Sequence, residues 1–214
     1  MIPDRKIGLL VLNGPLPPPY GGVATYLAHT LPYLSSHGFE IHTVVDHRPL
    51  NRQEYSAFEK ADVHIHYAGG SKLWKVWQIV KRLPLWLNAR RETGIDLLTL
   101  LRGVKSIASW LDAAERVMER HTIDIIHAYD YPWAQGFAAS HLSSKYSKKF
   151  VQSIFGEVVP HRSEVVHHDE VGDRFKSFSR SVLERADIML SCSEHCAREI
   201  AHVGMDPQHV RVTY

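Results

Sequence analysis

The sequence predicts an α/β fold in which helices cover both faces of a doubly wound parallel sheet. Short apolar runs of strand length alternate with segments of helical periodicity along all 214 residues. In addition, residues 1–45 contain a strand, a loop, a helix and a second strand, which is the unit that joins parallel strands. No Pro/Gly/Ser-rich linker and no internal repeat interrupts the alternation, so we expect one Rossmann-like domain over residues 1–214.

The first unit carries the clearest local signals. Residues 6–12 form a nearly continuous apolar run, as expected of a strand that is buried on both faces. Residues 23–36 place apolar side chains three to four positions apart and are followed by Gly38, which predicts a helix with a glycine just beyond its end. Residues 39–45 then predict the second strand.

Five further strands are predicted downstream, and helical segments separate them. These strands cover residues 63–66, 124–128, 150–154, 188–191 and 210–213. The clearest helix covers residues 96–119, where the apolar residues form one stripe that we interpret as core-facing. The stripe consists of Leu97, Leu100, Leu101, Val104, Ile107, Leu111, Ala114, Val117 and Met118.

Composition excludes several classes of protein. The 25 basic and 23 acidic residues give a net charge of +2, so we expect no nucleic-acid partner. Two cysteines, Cys192 and Cys196, do not make a disulfide framework and favour a reducing compartment. The first apolar run is too short for a signal sequence, and no run is long enough to span a membrane, so we expect a cytoplasmic protein.

The loop after the first strand reads NGPLPPPYGG and ends in Gly21 and Gly22. Its four prolines remove backbone N–H donors and its two glycines are adjacent, so it is not the G-x-G-x-x-G turn of a dinucleotide site. The glycines nevertheless stand at a helix N-terminus, where free N–H groups favour a phosphate or a sugar hydroxyl. The alternative is a tight turn that needs positive φ.

Histidine and cysteine groups in the sequence do not complete a ligand set, and we expect no metal site. The groups considered are His64 with His66 on one face of a strand, Cys192 with His195 and Cys196 within one helical turn, and the polar pair His167 and His168.

A basic, tryptophan-rich segment, KLWKVWQIVKRLPLWLNARR, covers Lys72 to Arg91 and holds six basic and no acidic residues. Trp prefers the headgroup level of a bilayer, and Lys and Arg attract anionic lipid. The segment therefore suggests peripheral docking on the anionic inner face of a membrane. The alternative is a helix pair broken at Pro84, with its tryptophans packed on the domain and its charges in solvent.

Three stretches, taken in chain order, resemble the N-terminal domain of GT-B glycosyltransferases, in particular glycosyltransferase family 4. PYGGVATYLAHTLPYLSSHGFEIHTVV, residues 19–45, resembles that group's Gly-Gly loop, helix, H-G turn and strand. IDIIHAYDYPWAQGFAA, residues 123–139, resembles its strand ending in D-I-I-H-x-H-D. LERADIMLSCSEHCAREIAHVGMDPQHVRVTY, residues 183–214, resembles its A-D to S stretch, helix, G-x-D turn and strand.

The resemblance implies the acceptor-binding half of a GT-B enzyme. In that family a second Rossmann-like domain follows and holds most contacts to the nucleotide-sugar donor. This sequence ends at Tyr214, so we expect the donor domain to be absent from the chain and the chain alone to be inactive or weak. The resemblance further implies retaining transfer of a hexosyl group to a sugar or lipid-linked sugar acceptor, in glycan, polysaccharide or glycolipid synthesis, without a cofactor.

Ligands of open α/β sheets bind beyond the carboxyl ends of the strands, so the loops after the first, fourth and fifth strands should share a crevice wall. Transfer to an acceptor hydroxyl needs a group that takes its proton and supports positive charge at the anomeric carbon. The predicted catalytic residues are Asp130 and Glu157. The predicted substrate-binding residues are Gly21, Gly22, His127, Phe155, Gly156, His161 and Arg162.

Each assignment has a structural alternative. Asp130 can serve a turn ahead of Pro132, Glu157 and His161 can lie in a solvated loop, and His127 can be a hydrogen-bonded core histidine.

The chain departs from the family at Phe155, which stands where the family often has the histidine of a T-x-H-G sequence. Phenylalanine cannot transfer a proton, so that role is absent or falls to a neighbour such as Glu157, His161 or Arg162. The sequence is also compatible with two other functions: a non-catalytic carbohydrate-binding or scaffold domain, and a sugar-nucleotide epimerase of the same fold.

Overall fold

The computed structural model describes residues 5–13, 21–45, 55–69, 71–94, 97–130, 132–156, 158 and 169–213. Over these residues the chain forms a seven-stranded sheet in the order β3-β2-β1-β4-β5-β6-β7, and every neighbouring pair is parallel. The strands are β1 (Ile7–Leu12), β2 (Phe39–Val45), β3 (Val63–Tyr67), β4 (Ile125–Tyr129), β5 (Lys149–Ile154), β6 (Ile188–Ser191) and β7 (Val210–Val212). The predicted fold class is confirmed, and each strand lies within one residue of its predicted bounds.

Helices connect these strands. They are α1 (Gly21–Ser36), α2 (Ser56–Lys60), α3 (Lys72–Lys81), α4 (Leu83–Thr93), α5 (Leu97–Arg120), α6 (Phe137–Tyr146), α7 (Asp169–Leu183) and α8 (Glu194–Arg198). A π-helical turn, Pro132–Gly136, precedes α6, and 3-10 turns cover Glu199–Val203 and Pro207–His209. None of the described helices is long and apolar enough to cross a membrane.

The two faces of the sheet have separate cores, because alternate strand residues point to opposite faces. On one face Leu9 and Val11 of β1 pack with Leu27 and Leu31 of α1. On the other face Leu10 and Leu12 pack in a cluster with α5 and α6, which includes Leu111 and Phe137. The helix after β1 and the helix after β4 therefore cover opposite faces of the sheet. The strand order reverses between these two strands.

The long helix α5 confirms the predicted apolar stripe where its side chains are described. Ile107, Leu111, Ala114, Val117 and Met118 are all buried. The side chains of Leu97, Leu100, Leu101 and Val104 lie outside the described ones.

Strand β1 packs directly against the connection that enters β4. A Cβ atom at Gly8 would overlap the carbonyl oxygen of Thr122 and would lie 2.9 Å from its carbonyl carbon. The Gly8 N–H donates to Asp124 Oδ2 at 2.9 Å, and the Arg5 guanidinium lies 2.8 Å from the other carboxylate oxygen. Only glycine allows this approach, because the atoms opposite belong to the backbone.

Replacing Gly8 with alanine should destabilise the domain by about 2–3 kcal/mol, because the new methyl group overpacks against an immobile carbonyl group. The measurement is the urea-unfolding free energy. Gly69→Ala is the matched control, since no described atom lies within 4 Å of a Cβ at that exposed glycine. It should change stability by less than about 0.5 kcal/mol. Equal stability of the two variants would contradict this account of β1.

Candidate active site

The start of α1 and the ends of β4 and β5 meet at the carboxyl edge of the sheet. The ring of Tyr26 in α1 lies 4.9 Å from Phe155 and 6.3 Å from Tyr129, measured between centroids. Asp130 Oδ1 lies 3.8 Å from the position that a Cβ of Gly156 would take. Since β4 neighbours both β1 and β5, these segments lie together at the point where the strand order reverses, which is where open α/β sheets bind ligands in a crevice; we call this region the crevice.

Asp130 follows the last residue of β4 and has a left-handed backbone conformation, with φ of 72°. Its N–H donates to the carbonyl oxygen of Ser153 at 2.9 Å, and its own carbonyl accepts from Gln152 Nε2 at 3.2 Å. Burial raises the pKa of the Asp130 carboxyl to about 6. A carboxylate with a pKa just below neutrality is suited to accept a proton at physiological pH.

Gln152 is a fully buried polar residue that holds this turn in place. Its Nε2 atom donates to the carbonyl oxygens of Asp130 and Ser153. Gly136, at the end of the π-helical turn, leaves room for it, because a Cβ there would lie 2.5 Å from Gln152 Oε1. Sequence analysis did not identify Gln152; the available signal was a glutamine within an otherwise buried strand.

His127 lies inside β4 and its Nε2 atom is 2.8 Å from the hydroxyl oxygen of Ser153. Its ring stacks on Tyr129 with a centroid separation of 4.1 Å. Burial lowers the pKa of His127 to about 3, so the imidazole is neutral at physiological pH. The contact with Ser153 fits the alternative of a hydrogen-bonded histidine within the sheet, although the residue is only half-buried. The substrate-binding role of His127 stays a prediction.

Phe155 contributes to an aromatic wall along this edge. Its side chain is half-buried and lies 5.9 Å from Tyr129 as well as against Tyr26, measured between ring centroids. Its carbonyl oxygen accepts a hydrogen bond from the Cys196 thiol at 3.2 Å, which ties the end of β5 to α8. The position therefore offers an apolar ring face and no proton-transferring group.

Gly21 and Gly22 are the first residues of α1. Gly22 is exposed, and no described atom lies within 4 Å of a Cβ built on it. The described glycines with positive φ are Gly38, Gly94 and Gly204, so the tight-turn explanation does not apply to Gly22. The first N–H groups of a helix are where a phosphate or hydroxyl can be bound.

Three predicted site residues, Glu157, His161 and Arg162, lie outside the described residues. The site described by the structure therefore consists of the α1 start, Asp130, the aromatic wall and Gly156.

Asp130→Asn should stabilise the domain more strongly at about pH 7 than at about pH 4.5. The folded-state pKa is raised from 3.8 to about 6, so the folded chain binds more protons than the unfolded chain and stability falls as pH rises through this window. Asparagine removes the titration and tolerates positive φ. Urea-unfolding free energies at both pH values measure the effect.

Asp62→Asn is the matched control, because Asp62 also has positive φ, at 59°. The hydrogen bond from Lys6 lowers the pKa of Asp62, so its titration lies below the tested window. Its difference from wild type should stay nearly constant from about pH 4.5 to about pH 7. A constant difference for Asp130→Asn as well would show that its carboxyl is not desolvated.

Solved structures share this fold at low sequence identity, whereas no curated protein sequence matches the chain significantly. A UDP-GlcNAc 2-epimerase from Methanocaldococcus jannaschii superposes with a TM-score of 0.52 at 12% identity, over 96% of this chain and 45% of the epimerase. A glycosyltransferase from Rickettsia africae ESF-5 superposes with a TM-score of 0.54 at 13% identity, over 97% of this chain and 42% of that protein. The chain spans less than half the length of both.

The sequence itself carries a match at the level of a family. Residues 20–214 match the profile of Glycosyltransferase Family 4, from the residue before α1 to the last residue of the chain. This range contains the crevice and six of the seven strands, β2 to β7. The chain belongs to glycosyltransferase family 4.

Proposed function

We propose that the chain binds the acceptor in a glycosyltransferase that moves a hexosyl group from a nucleotide-sugar donor to a sugar or lipid-linked sugar, with retention of anomeric configuration. The observation that carries the proposal is the position of Asp130 beside Gly156 in the crevice of a family 4 domain. The products would be glycans, polysaccharides or glycolipids. The donor would bind mainly to a second domain, outside this chain.

The reaction requires the acceptor hydroxyl to lose its proton as the nucleoside diphosphate leaves. In this proposal the Asp130 carboxylate, with its pKa of about 6, takes that proton or supports the positive charge at the anomeric carbon. The N–H groups of the first turn of α1 bind a hydroxyl or phosphate oxygen. Tyr26 and Phe155 provide the apolar surface on which a sugar ring can lie.

Glu157 directly follows Gly156 in the sequence. We propose Glu157 as the second catalytic residue, and His161 and Arg162 as substrate-binding residues.

Asp130→Asn in the full-length protein should lower kcat for sugar transfer by about 10²–10⁴-fold, with a smaller effect on KM, because the carboxylate acts in the transition state. The measurement is nucleoside diphosphate release with mass analysis of the glycosylated acceptor, over a panel of nucleotide-sugar donors. Asp62→Asn is the control: it makes the same substitution at a residue that also has a left-handed backbone. Asp62 precedes the amino end of β3, at the opposite edge of the sheet from Asp130, so this variant should retain full activity. Full activity of Asp130→Asn would refute the catalytic role of Asp130.

An epimerase is the second candidate, since the similar structures include a UDP-GlcNAc 2-epimerase. The same assay separates the two functions: an epimerase yields an isomerised sugar nucleotide or sugar without any acceptor, whereas a transferase yields a glycosylated acceptor. A full-length protein that binds carbohydrate without turnover would support the scaffold hypothesis.

We further propose that α3 docks on an anionic membrane surface, which would bring a lipid-linked acceptor to the crevice. One face of α3 is apolar and exposed to solvent. It is formed by Leu73, Val76, Trp77 and Val80, and between 57% and 84% of the surface of each residue is exposed. Exposed cations accompany them on the same helix pair at Lys81, Arg90 and Arg91. An apolar helical face with flanking cations fits an interface of acyl chains and acidic headgroups.

Other side chains of the segment from Lys72 to Arg91 are buried in the domain. Only part of the segment is therefore available to contact a membrane. Trp86 is buried, stacks on Phe137 and donates its indole N–H to the carbonyl oxygen of Ile79. Arg82 is also buried and forms an ion pair with Glu115. The helices separate at Arg82, two residues before Pro84, close to the break that the helix-pair alternative predicts.

Trp77→Ser should weaken binding to vesicles of phosphatidylcholine with anionic phosphatidylglycerol about tenfold, because it removes the largest exposed apolar side chain of α3. Replacing Arg90 and Arg91 with glutamine should weaken the free energy of vesicle binding by about 1 kcal/mol for each residue. This loss should disappear in high salt, where the headgroup charges are screened. Co-sedimentation measures both effects. Tyr33→Ser on α1 is the matched control, since 61% of Tyr33 is exposed compared with 62% of Trp77. Binding that is indifferent to anionic lipid and to these changes would exclude docking through α3.

A further inference from the structure

Four histidines gather where β2, β3 and the end of α5 meet. His42 of β2 pairs in register with His64 of β3, and His66 lies two residues further along the same face. His121 directly follows α5, and its ring lies 4.0 Å from that of His42 and 6.0 Å from that of His66, measured between centroids. This histidine cluster includes His42 and His121, which sequence analysis did not connect with His64 and His66.

The ring nitrogens approach to distances that suit a metal ion. His42 Nδ1 and His66 Nε2 are 3.1 Å apart. A tetrahedral ion with Zn–N bonds of 2.0–2.1 Å separates its ligand nitrogens by about 3.3 Å. One nitrogen from each of His42, His66 and His121 lies within 4.8 Å of the others, so small rotations bring all three to bonding distance. We propose that His42, His66 and His121 bind a divalent transition metal ion of the Zn²⁺ type.

A carboxylate already orients the buried ligand. His42 has no exposed surface, and its Nε2 atom lies 3.1 Å from Glu40 Oε1. With Nε2–H donating to Glu40, the lone pair of Nδ1 points towards His66. Histidine ligands of metals commonly donate their second nitrogen to a carboxylate in this way. The same Glu40 oxygen lies 4.0 Å from His121 Nδ1, which is beyond hydrogen-bonding distance.

His42 and His66 are neutral at physiological pH, and the cluster borders a cleft. Burial lowers the pKa of His42, and burial together with the neighbouring histidines lowers the pKa of His66 to about 4, so both have a free lone pair at pH 7. A cleft of about 290 Å³, bordered by His66, His121, Arg116 and Arg120, gives an ion and its water ligand access. The charge of Arg116 is compensated by an ion pair with Asp112.

His64 is the less suitable fourth histidine. It is nearly half exposed and lies 3.7 Å from Asp62, so it faces solvent and a second carboxylate. A water molecule from the cleft is the more suitable fourth ligand, because the three histidines then complete a tetrahedral site.

The site is separate from the crevice. β3 and β4 are three strand spacings apart in the sheet, which is about 14 Å. The ion would join the edge strand β3 to β2 and to the end of α5, so its effect is on stability and does not depend on the proposed transfer reaction.

The test uses the chain purified without a histidine tag, stripped with a chelator and titrated with Co²⁺ and Zn²⁺. We expect one equivalent of metal per chain by elemental analysis, tetrahedral Co²⁺ absorption bands that Zn²⁺ displaces, and a rise in Tm with Zn²⁺. His66→Gln and His121→Gln should each weaken binding by about 100-fold or more, and Glu40→Gln by about tenfold. His29→Gln, at an exposed position of α1, is the matched control and should bind as wild type does.

Two results would overturn the proposal. One is a folded wild-type chain without saturable binding of Co²⁺ or Zn²⁺, which would leave the cluster as a hydrogen-bonded histidine pair. The other is wild-type affinity in both His66→Gln and His121→Gln, which would place the ion elsewhere in the chain. Circular dichroism of the metal-free variants verifies that each is folded, and His121→Gln, just beyond the end of α5, provides a second variant if His66→Gln does not fold.

Discussion

The close contact between β1 and the connection entering β4 is the constraint on which the rest of the structure depends. Gly8 lets the Thr122 carbonyl group lie against β1, and the Asp124 carboxylate accepts the Gly8 N–H across the same contact. With β4 held beside β1, the strand order reverses at this pair. Because the helices that follow the two strands cover opposite faces, this pair marks the switch point at whose carboxyl edge open α/β sheets bind ligands.

The position of Asp130 at the end of β4 depends on this arrangement. The chain leaves β4 in a left-handed turn, which is costly for a residue other than glycine and persists only when the surrounding structure fixes it. Here Ser153 and Gln152 fix it from β5, and Gly136 makes room for the glutamine. The buried amide thus links a strand, a turn and a π-helical segment, the kind of irregularity that often marks a functional site.

The sequence was sufficient for the sheet because a parallel strand buried on both faces reads as a short apolar run, as in residues 7–12 and 39–45. It did not reveal features that arise from tertiary contact. His42 and His66 are 24 positions apart and become neighbours only through the register of β2 and β3. Likewise, the tryptophans at 77 and 86 look alike in the sequence, but one is exposed and the other is packed on Phe137.

Because position 155 is phenylalanine, any proton transfer at the candidate site has to be performed by another group. An imidazole there would titrate near 6.5, whereas the aromatic ring cannot exchange a proton at all. Burial moves the neighbouring carboxyl of Asp130 from 3.8 to about 6, which is close to the imidazole value. In the proposed reaction Asp130 would therefore take the proton that the family's histidine would otherwise accept, because its raised pKa lies close to that of an imidazole.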